Sequence, residues 1–200
     1  MKAIDGGKGR AAALAALTSI LAMVAAAAPA LAGGPATISQ PSSFPIKITK
    51  SGSYILTSNI VVTSKNVNVL SVTVSAVTIN LDGFTIAGPG TGGSGIGVAA
   101  SSAANVTVLN GSVNGFGGGG VLLGGGSTAR NISAISNGGV GISAGSGSLV
   151  SNCVASGNGG FGLSFNDATS GYSNCVVSGI STVAGGTSLG DNLCNGSSCP

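Results

Sequence analysis

The chain contains no histidine, no tryptophan and no glutamate. Only 6% of its residues are charged and only 4% are aromatic. From Gly33 onward there are four basic residues (Lys47, Lys50, Lys65, Arg130) and three acidic ones (Asp82, Asp167, Asp191). A surface so close to neutral has no electrostatic footprint for nucleic acid or an anionic membrane, so neither partner is expected. With no histidine and no paired Cys-x-x-Cys motif, metal and cofactor binding are not expected either. Helical periodicity with caps is absent after residue 33. So is any second apolar run long enough to span a bilayer, roughly 18 residues.

What is present begins with a leader. Lys2, Lys8 and Arg10 precede an Ala/Leu-rich stretch from Ala11 to Ala28, and Pro29-Ala30-Leu31-Ala32 closes it. That order is the signature of a secretory signal peptide. Cleavage is expected after Ala32, giving a secreted or periplasmic protein that is free of the membrane once cleaved.

Glycine is abundant, with 37 residues, and it is not scattered. Asn137-Gly-Gly-Val-Gly-Ile142 returns as Asn158-Gly-Gly-Phe-Gly-Leu163, at a spacing of 21. Two markers extend the repeat. Asn followed by an apolar residue or Cys occurs at Asn105, Asn131, Asn152 and Asn174, with spacings of 26, 21 and 22. Gly followed by apolar-x-apolar occurs at Gly95, Gly120, Gly139 and Gly160, with spacings of 25, 19 and 21. Each marker alternates with period 2, as a strand with one buried face does. On this alignment Val98, Leu123, Ile142 and Leu163 share one inward position. Thr107, Ser133, Val154 and Val176 share one outward position, which leaves no threonine ladder. A single short coil cannot bury its apolar face alone, whereas stacked coils close a continuous core. Asn105, Asn131, Asn152 and Asn174 are read as the repeated corner, because Asn tolerates left-handed backbone and Asn on Asn forms amide ladders. The step from Asn105 to Val121 is longer than its counterparts, Asn131 to Val140 and Asn152 to Phe161. The excess is expected as a loop near Gly115–Gly119. A second loop is expected over 87–95.

These residues, together with "KSGSYILTSNIVV" (50–62) and "VTINLDGFTIAG" (77–88), resemble the right-handed parallel β-helix repeat proteins of the pectate-lyase-like group. The fold class expected is therefore all-β: a single-stranded right-handed parallel β-helix of about five to six coils. Its hand follows from the resemblance and from the usual hand of parallel connections. The expected division is a signal peptide over 1–32, an N-terminal cap over 33–60, the β-helix over 61–193 and a disulfide-tied tail over 194–200.

The resemblance also says where chemistry would reside. Lyases of this group hold Ca²⁺ on an acidic cluster and use Arg or Lys as base. Its hydrolases carry several Asp on one face, and glycoside cleavage needs two carboxylates within about 5–10 Å. Asp167 and Asp191 are the only pair the repeat could bring together, and both also read as turn residues. Asp82 reads as a turn, and Arg130 as a solvated corner. Tyr54, Phe116 and Tyr172 are the aromatics left to stack on a sugar ring, or to pack at caps. Cys194 and Cys199 enclose Asn-Gly-Ser-Ser, and a local bridge there would tie down the terminus. Cys153 and Cys175 fall on the same inward position of neighbouring coils. Their separation admits a disulfide and their parallel Cβ vectors are poor geometry for one, so a bridge and two buried thiols are both open.

The leading functional expectation is a non-catalytic secreted β-helix, structural or binding an extracellular polysaccharide or surface. The alternatives are a minimal polysaccharide-active enzyme and a subunit of a larger extracellular assembly with a protein partner.

Overall fold

The computed structural model describes residues 34–200; the leader and its expected cleavage site at Ala32 lie outside the described residues. Residues 35–200 form one compact unit. The chain winds through three faces per turn, and each face is a stack of parallel strands. Face A holds β1 (Ala36–Ile38), β3 (Gly52–Leu56), β6 (Val77–Asn80), the first parts of β9 (Val106–Asn114) and β11 (Thr128–Ile135), β13 (Leu149–Ser151), β15 (Gly171–Ser173) and β17 (Thr187–Ser188). Face B holds β4 (Ile60–Val61), β7 (Thr85–Ala87), the later parts of β9 and β11, the starts of β14 (Val154–Phe165) and β16 (Val176–Ala184), and β18 (Leu193–Cys194). Face C holds β2 (Ile46–Ile48), β5 (Leu70–Val72), β8 (Ile96–Ala100), β10 (Gly119–Leu123), β12 (Val140–Ala144) and the ends of β14 and β16. A final strand, β19 (Ser197–Ser198), turns back antiparallel on β18.

The fold is thus an all-β parallel solenoid. Face A is eight strands deep, so the solenoid has about eight turns rather than five to six. The difference has a physical cause. One column of paired residues on face A runs through Ala36, Tyr54, Ile79, Val108, Ala129, Val150, Tyr172 and Ser188. Its steps are uneven: long from Tyr54 to Ile79 and from Ile79 to Val108, short from Ala36 to Tyr54 and from Tyr172 to Ser188. Only the middle coils, between Val108 and Tyr172, keep the period on which the sequence markers align. The segment expected as a cap, 33–60, already contributes coil strands.

Two register corrections follow. Asn131 lies over Asn110, not Asn105: Arg130 pairs with Leu109 and Ile132 with Gly111. Asn105 sits one corner earlier, where φ is also positive at Ala76, Gly126 and Gly147. On face C, Val121 lies between Val98 and Ile142, so Leu123 belongs with Ala100 and Ala144 instead. The apparent loop near Gly115–Gly119 is therefore no insertion. Its excess length comes from taking Asn105 for Asn110 at one end and Val121 for Gly119 at the other. The 87–95 excursion is real only at its exposed tip, Thr91–Ser94; Gly88 and Gly90 donate to Asn114 and Gly115 carbonyls in the coil above.

Inside, face B stacks Ile60, Ile86, Val113, Ala134, Ala155, Val177 and Cys194, all buried. Each large aliphatic side chain buried this way contributes about 1.5–3 kcal/mol. Glycine is required where successive coils approach too closely for a side chain. A Cβ on Gly120 would lie 2.6 Å from the Gly141 carbonyl oxygen, and one on Gly141 2.7 Å from that of Gly162. The doubled Asn-Gly-Gly phrase now has a cause. Asn137 and Asn158 are buried one above the other. The Asn158 Oδ1 accepts from the Asn137 N–H (3.0 Å) and from its Nδ2 (3.1 Å), while Asn158 Nδ2 donates to the Ala134 carbonyl (3.0 Å). Asn137 Oδ1 in turn accepts from the Phe116 N–H at 3.1 Å. A second buried ladder links Ser127, Ser148 and Ser170, each hydroxyl receiving the backbone N–H of the coil before. These polar groups are all satisfied: no buried side-chain nitrogen or oxygen among the described residues lacks a partner.

Candidate functional site

The two aspartates singled out as a pair are not brought together. Asp167 lies on the corner between faces C and A. There its carboxylate accepts from the Thr169 N–H at 3.0 Å and from the Thr169 hydroxyl. Hydrogen bonds from Ser146 and Thr169 hold its pKa below the ordinary carboxylate value. Asp191 lies on the corner between faces A and B, exposed, with φ of 55°, in the column that follows Asn174. A face-A strand thus separates the two corners. The expectation of a neighbouring carboxylate pair is corrected: the two lie at similar distances after Asn152 and Asn174, but the last coil is short, so Asp191 has come full circle to the Asn174 corner while Asp167 is still on the corner before it. Asp82 makes the turn expected of it, with φ of 50° and its N–H on the Asn80 Oδ1. Arg130 is exposed on face A, between Leu109 and Ser151 in register. Among the described residues, no three or more Asp or Cys side chains gather where they could hold a metal ion.

The sulfur residues are structural. Cys194 and Cys199 form the disulfide, with a Cα–Cα separation of 4.8 Å, and tie β19 under β18. Cys153 and Cys175 are free and buried, so the bridge considered between them is not formed. Their side chains leave parallel strands in the same direction, which brings the sulfurs side by side without the geometry of a bond. A hydrogen bond from the Cys153 thiol to Cys175, together with burial, pushes the Cys153 pKa up; the same bond lowers that of Cys175.

The aromatic candidates are also absorbed by packing. Phe116 is fully buried. Tyr172 is buried, stacks on Phe165 with centroids 5.6 Å apart, and its hydroxyl donates to the Pro200 carbonyl. Tyr54 is half-buried and donates to the Lys50 carbonyl at 2.8 Å.

What remains is surface. The outer side of face B carries two columns: Thr85, Ser112, Ser133, Val154, Val176 and Leu193, and beside it Ala87, Asn114, Ile135, Ser156, Ser178 and Asn195. None of these positions is charged. Along its edge runs the left-handed corner Asn110, Asn131, Asn152 and Asn174, with φ between 52° and 59°. Asn131 Nδ2 donates to Asn110 Oδ1 (2.9 Å) and Asn110 Nδ2 to Asn80 Oδ1 (3.1 Å), which leaves each of these two amides one N–H outside the ladder. A shallow depression of about 400 Å³ lies here, lined by Gly83, Gly111, Ser112, Asn131, Ser133, Asn152 and Val154. Val154, Val176 and Leu193 are each 39–50% exposed and continue the strip apolar.

Sequence reasoning placed Asn131, Asn152 and Asn174 on this corner but missed Asn110, whose signal was hidden by the Asn105 match. It also placed Thr107 beside Ser133. Thr107 in fact stands between Thr78 and Thr128 on the outer side of face A, a three-residue threonine stack that ends at Leu149. No family model matches this chain, no curated protein matches it, and no solved structure matches it.

Proposed function

We propose that this is a non-catalytic secreted β-solenoid, related to the pectate-lyase-like parallel β-helices, whose face B lies against an uncharged extracellular polysaccharide. The observation that carries this reading is the pairing on one face of amide rungs, hydroxyls and exposed aliphatics with no cation, the only ionisable groups on the asparagine corner among the described residues being Asp82 and Asp191 at its two ends. Neutral sugars offer hydroxyls to the amides and apolar ring faces to valine and leucine. An anionic polymer would find no cation there, because Lys47, Lys50, Lys65 and Arg130 all lie off this face. The separation of Asp167 from Asp191 supports a binding role over hydrolysis, which needs two carboxylates astride one bond. Export to an oxidising compartment accords with the disulfide and with the leader pattern.

The test is a glycan array probed with labelled residues 33–200. Selective retention by neutral polysaccharide is expected. Asn131→Asp and Asn152→Asp, which add charge to an exposed corner without removing a buried contact, are expected to weaken it by about tenfold. Undiminished binding by the double variant, or retention by acidic glycans alone, would remove face B from the account.

A further inference from the structure

The ends of a solenoid expose strand edges, and an unprotected edge is a template for pairing. Here the edges of face B are visibly closed. At the start of face B, the Gln40 side chain takes the place of a missing strand. Its Nε2 donates to the Val61 carbonyl (3.0 Å) and its Oε1 accepts from the Val61 N–H (2.7 Å). At the other end, Asn195 does the same to Gly179: Oδ1 accepts from its N–H (3.0 Å) and Nδ2 donates to its carbonyl (3.1 Å). The β18 edge is covered by β19.

The end strands of face A, β1 and β17, each pair on one side only among the described residues, and face C is open at both ends. Ile180-Ser-Thr-Val-Ala184, the last strand of face C, pairs with β14 on one side, and no described residue pairs with its other side. It has no charge and no proline, and Ile180 is 91% exposed. The first strand of face C, β2, likewise pairs only with β5 among the described residues. Both ends share one inward column: Ile46, Leu70, Val98, Val121, Ile142, Leu163, Val183. The five inner members are fully buried, whereas Ile46 and Val183 are only partly so.

Charge selects the partner for that edge. The first coils carry Lys47, Lys50 and Lys65, and the last carry Asp167 and Asp191. Tail-to-tail contact would oppose like charges, while head-to-tail contact opposes unlike ones. Lys50 and Asp167 even lie on the same corner, each following a face-C strand and preceding a face-A strand.

We infer that a second copy of this chain, beginning at Gly33, docks head to tail, laying β2 along the open edge Ile180–Ala184. The added strand sits one sheet spacing away, about 4.8 Å. Ile46 of the second copy then covers Val183, and Lys47 follows Ala184 on the outside. Such a contact is heterologous and does not close on itself, so it builds linear rods rather than a closed dimer.

Sedimentation velocity on residues 33–200, which contain the compact unit 35–200, tests this. The average mass is expected to climb with concentration past the dimer. Ile180→Lys with Ala184→Lys blocks the edge and places Lys against Lys47. Lys47→Glu with Lys50→Glu removes the charge match. Each double variant is expected to weaken association by on the order of tenfold, with circular dichroism unchanged because these side chains point outward. A strict monomer at all concentrations overturns the inference. So does association that stops at two copies and survives the lysine replacements, since that is the behaviour of a tail-to-tail pair.

Discussion

Asn158 shows how much one side chain can hold in so thin a molecule. Its amide closes three hydrogen bonds at a buried position. Asn158→Ala strands the Asn137 N–H and takes the Asn158 amide from the Ala134 carbonyl, while the Asn137 amide keeps only its bond to the Val113 carbonyl, and each unpaired buried group costs about 1–3 kcal/mol. Urea denaturation should show Asn158→Ala among the most destabilising single changes, well beyond Asn152→Ala on the exposed corner. Gly141→Ala should be comparably damaging, because the added methyl meets the Gly162 carbonyl and the Asn158 amide, whereas Gly92→Ala meets nothing within 4 Å and should be silent. Cys153 and Cys175 should resist thiol reagents in the native protein and react fully in denaturant, since both are buried and Cys153 is held protonated. Fast native labelling of either would contradict their placement. Asp167 carries a small pH dependence. Its folded pKa is lowered, so its contribution is present above the ordinary carboxylate pKa and is lost as pH falls through the folded value.

At the scale of the element, the ends are weaker than the middle, because a solenoid strand is supported only by its neighbours. Gln40→Ala should release the Val61 N–H and carbonyl, and hydrogen exchange should quicken at β4 while β11 and β12 stay protected. Reducing the Cys194–Cys199 bridge removes a short loop constraint worth about 2 kcal/mol in the chain-entropy view. Exchange should then rise over β18 and β19 alone. The same scale explains what was legible from sequence. The coils between Val108 and Tyr172 repeat with an almost constant period, so their strands, faces and corner asparagines could be read directly. The earlier coils, from Tyr54 to Ile79 and from Ile79 to Val108, are longer, and next to them the markers slipped: Asn105 stood in for Asn110, and Val121 for Gly119. The slip on face C was by an even number of positions, so the inward side stayed inward and the fold was still recognised. What sequence alignment cannot supply is which corner a residue turns on. Asp167 and Asp191 looked like neighbours because the short last coil was taken as full length, and the stack of Thr78, Thr107 and Thr128 went unseen because Asn105 stood in for Asn110.

For the whole molecule, near-neutral charge and a continuous apolar core make stability a sum over stacked coils, while activity is left to surfaces. The outward columns of face B are uncharged and border the asparagine edge, which Asp82 and Asp191 flank at its two ends; Asp167 lies on another corner. Binding without turnover is therefore the central claim. The most direct measurement is to incubate residues 33–200 with a panel of neutral and acidic polysaccharides, following retention on the polymer and release of reducing or unsaturated ends in the same samples. The account predicts retention on a neutral polymer with no released ends. Depolymerisation of any glycan that is abolished by Asp167→Ala or Asp191→Ala would contradict it.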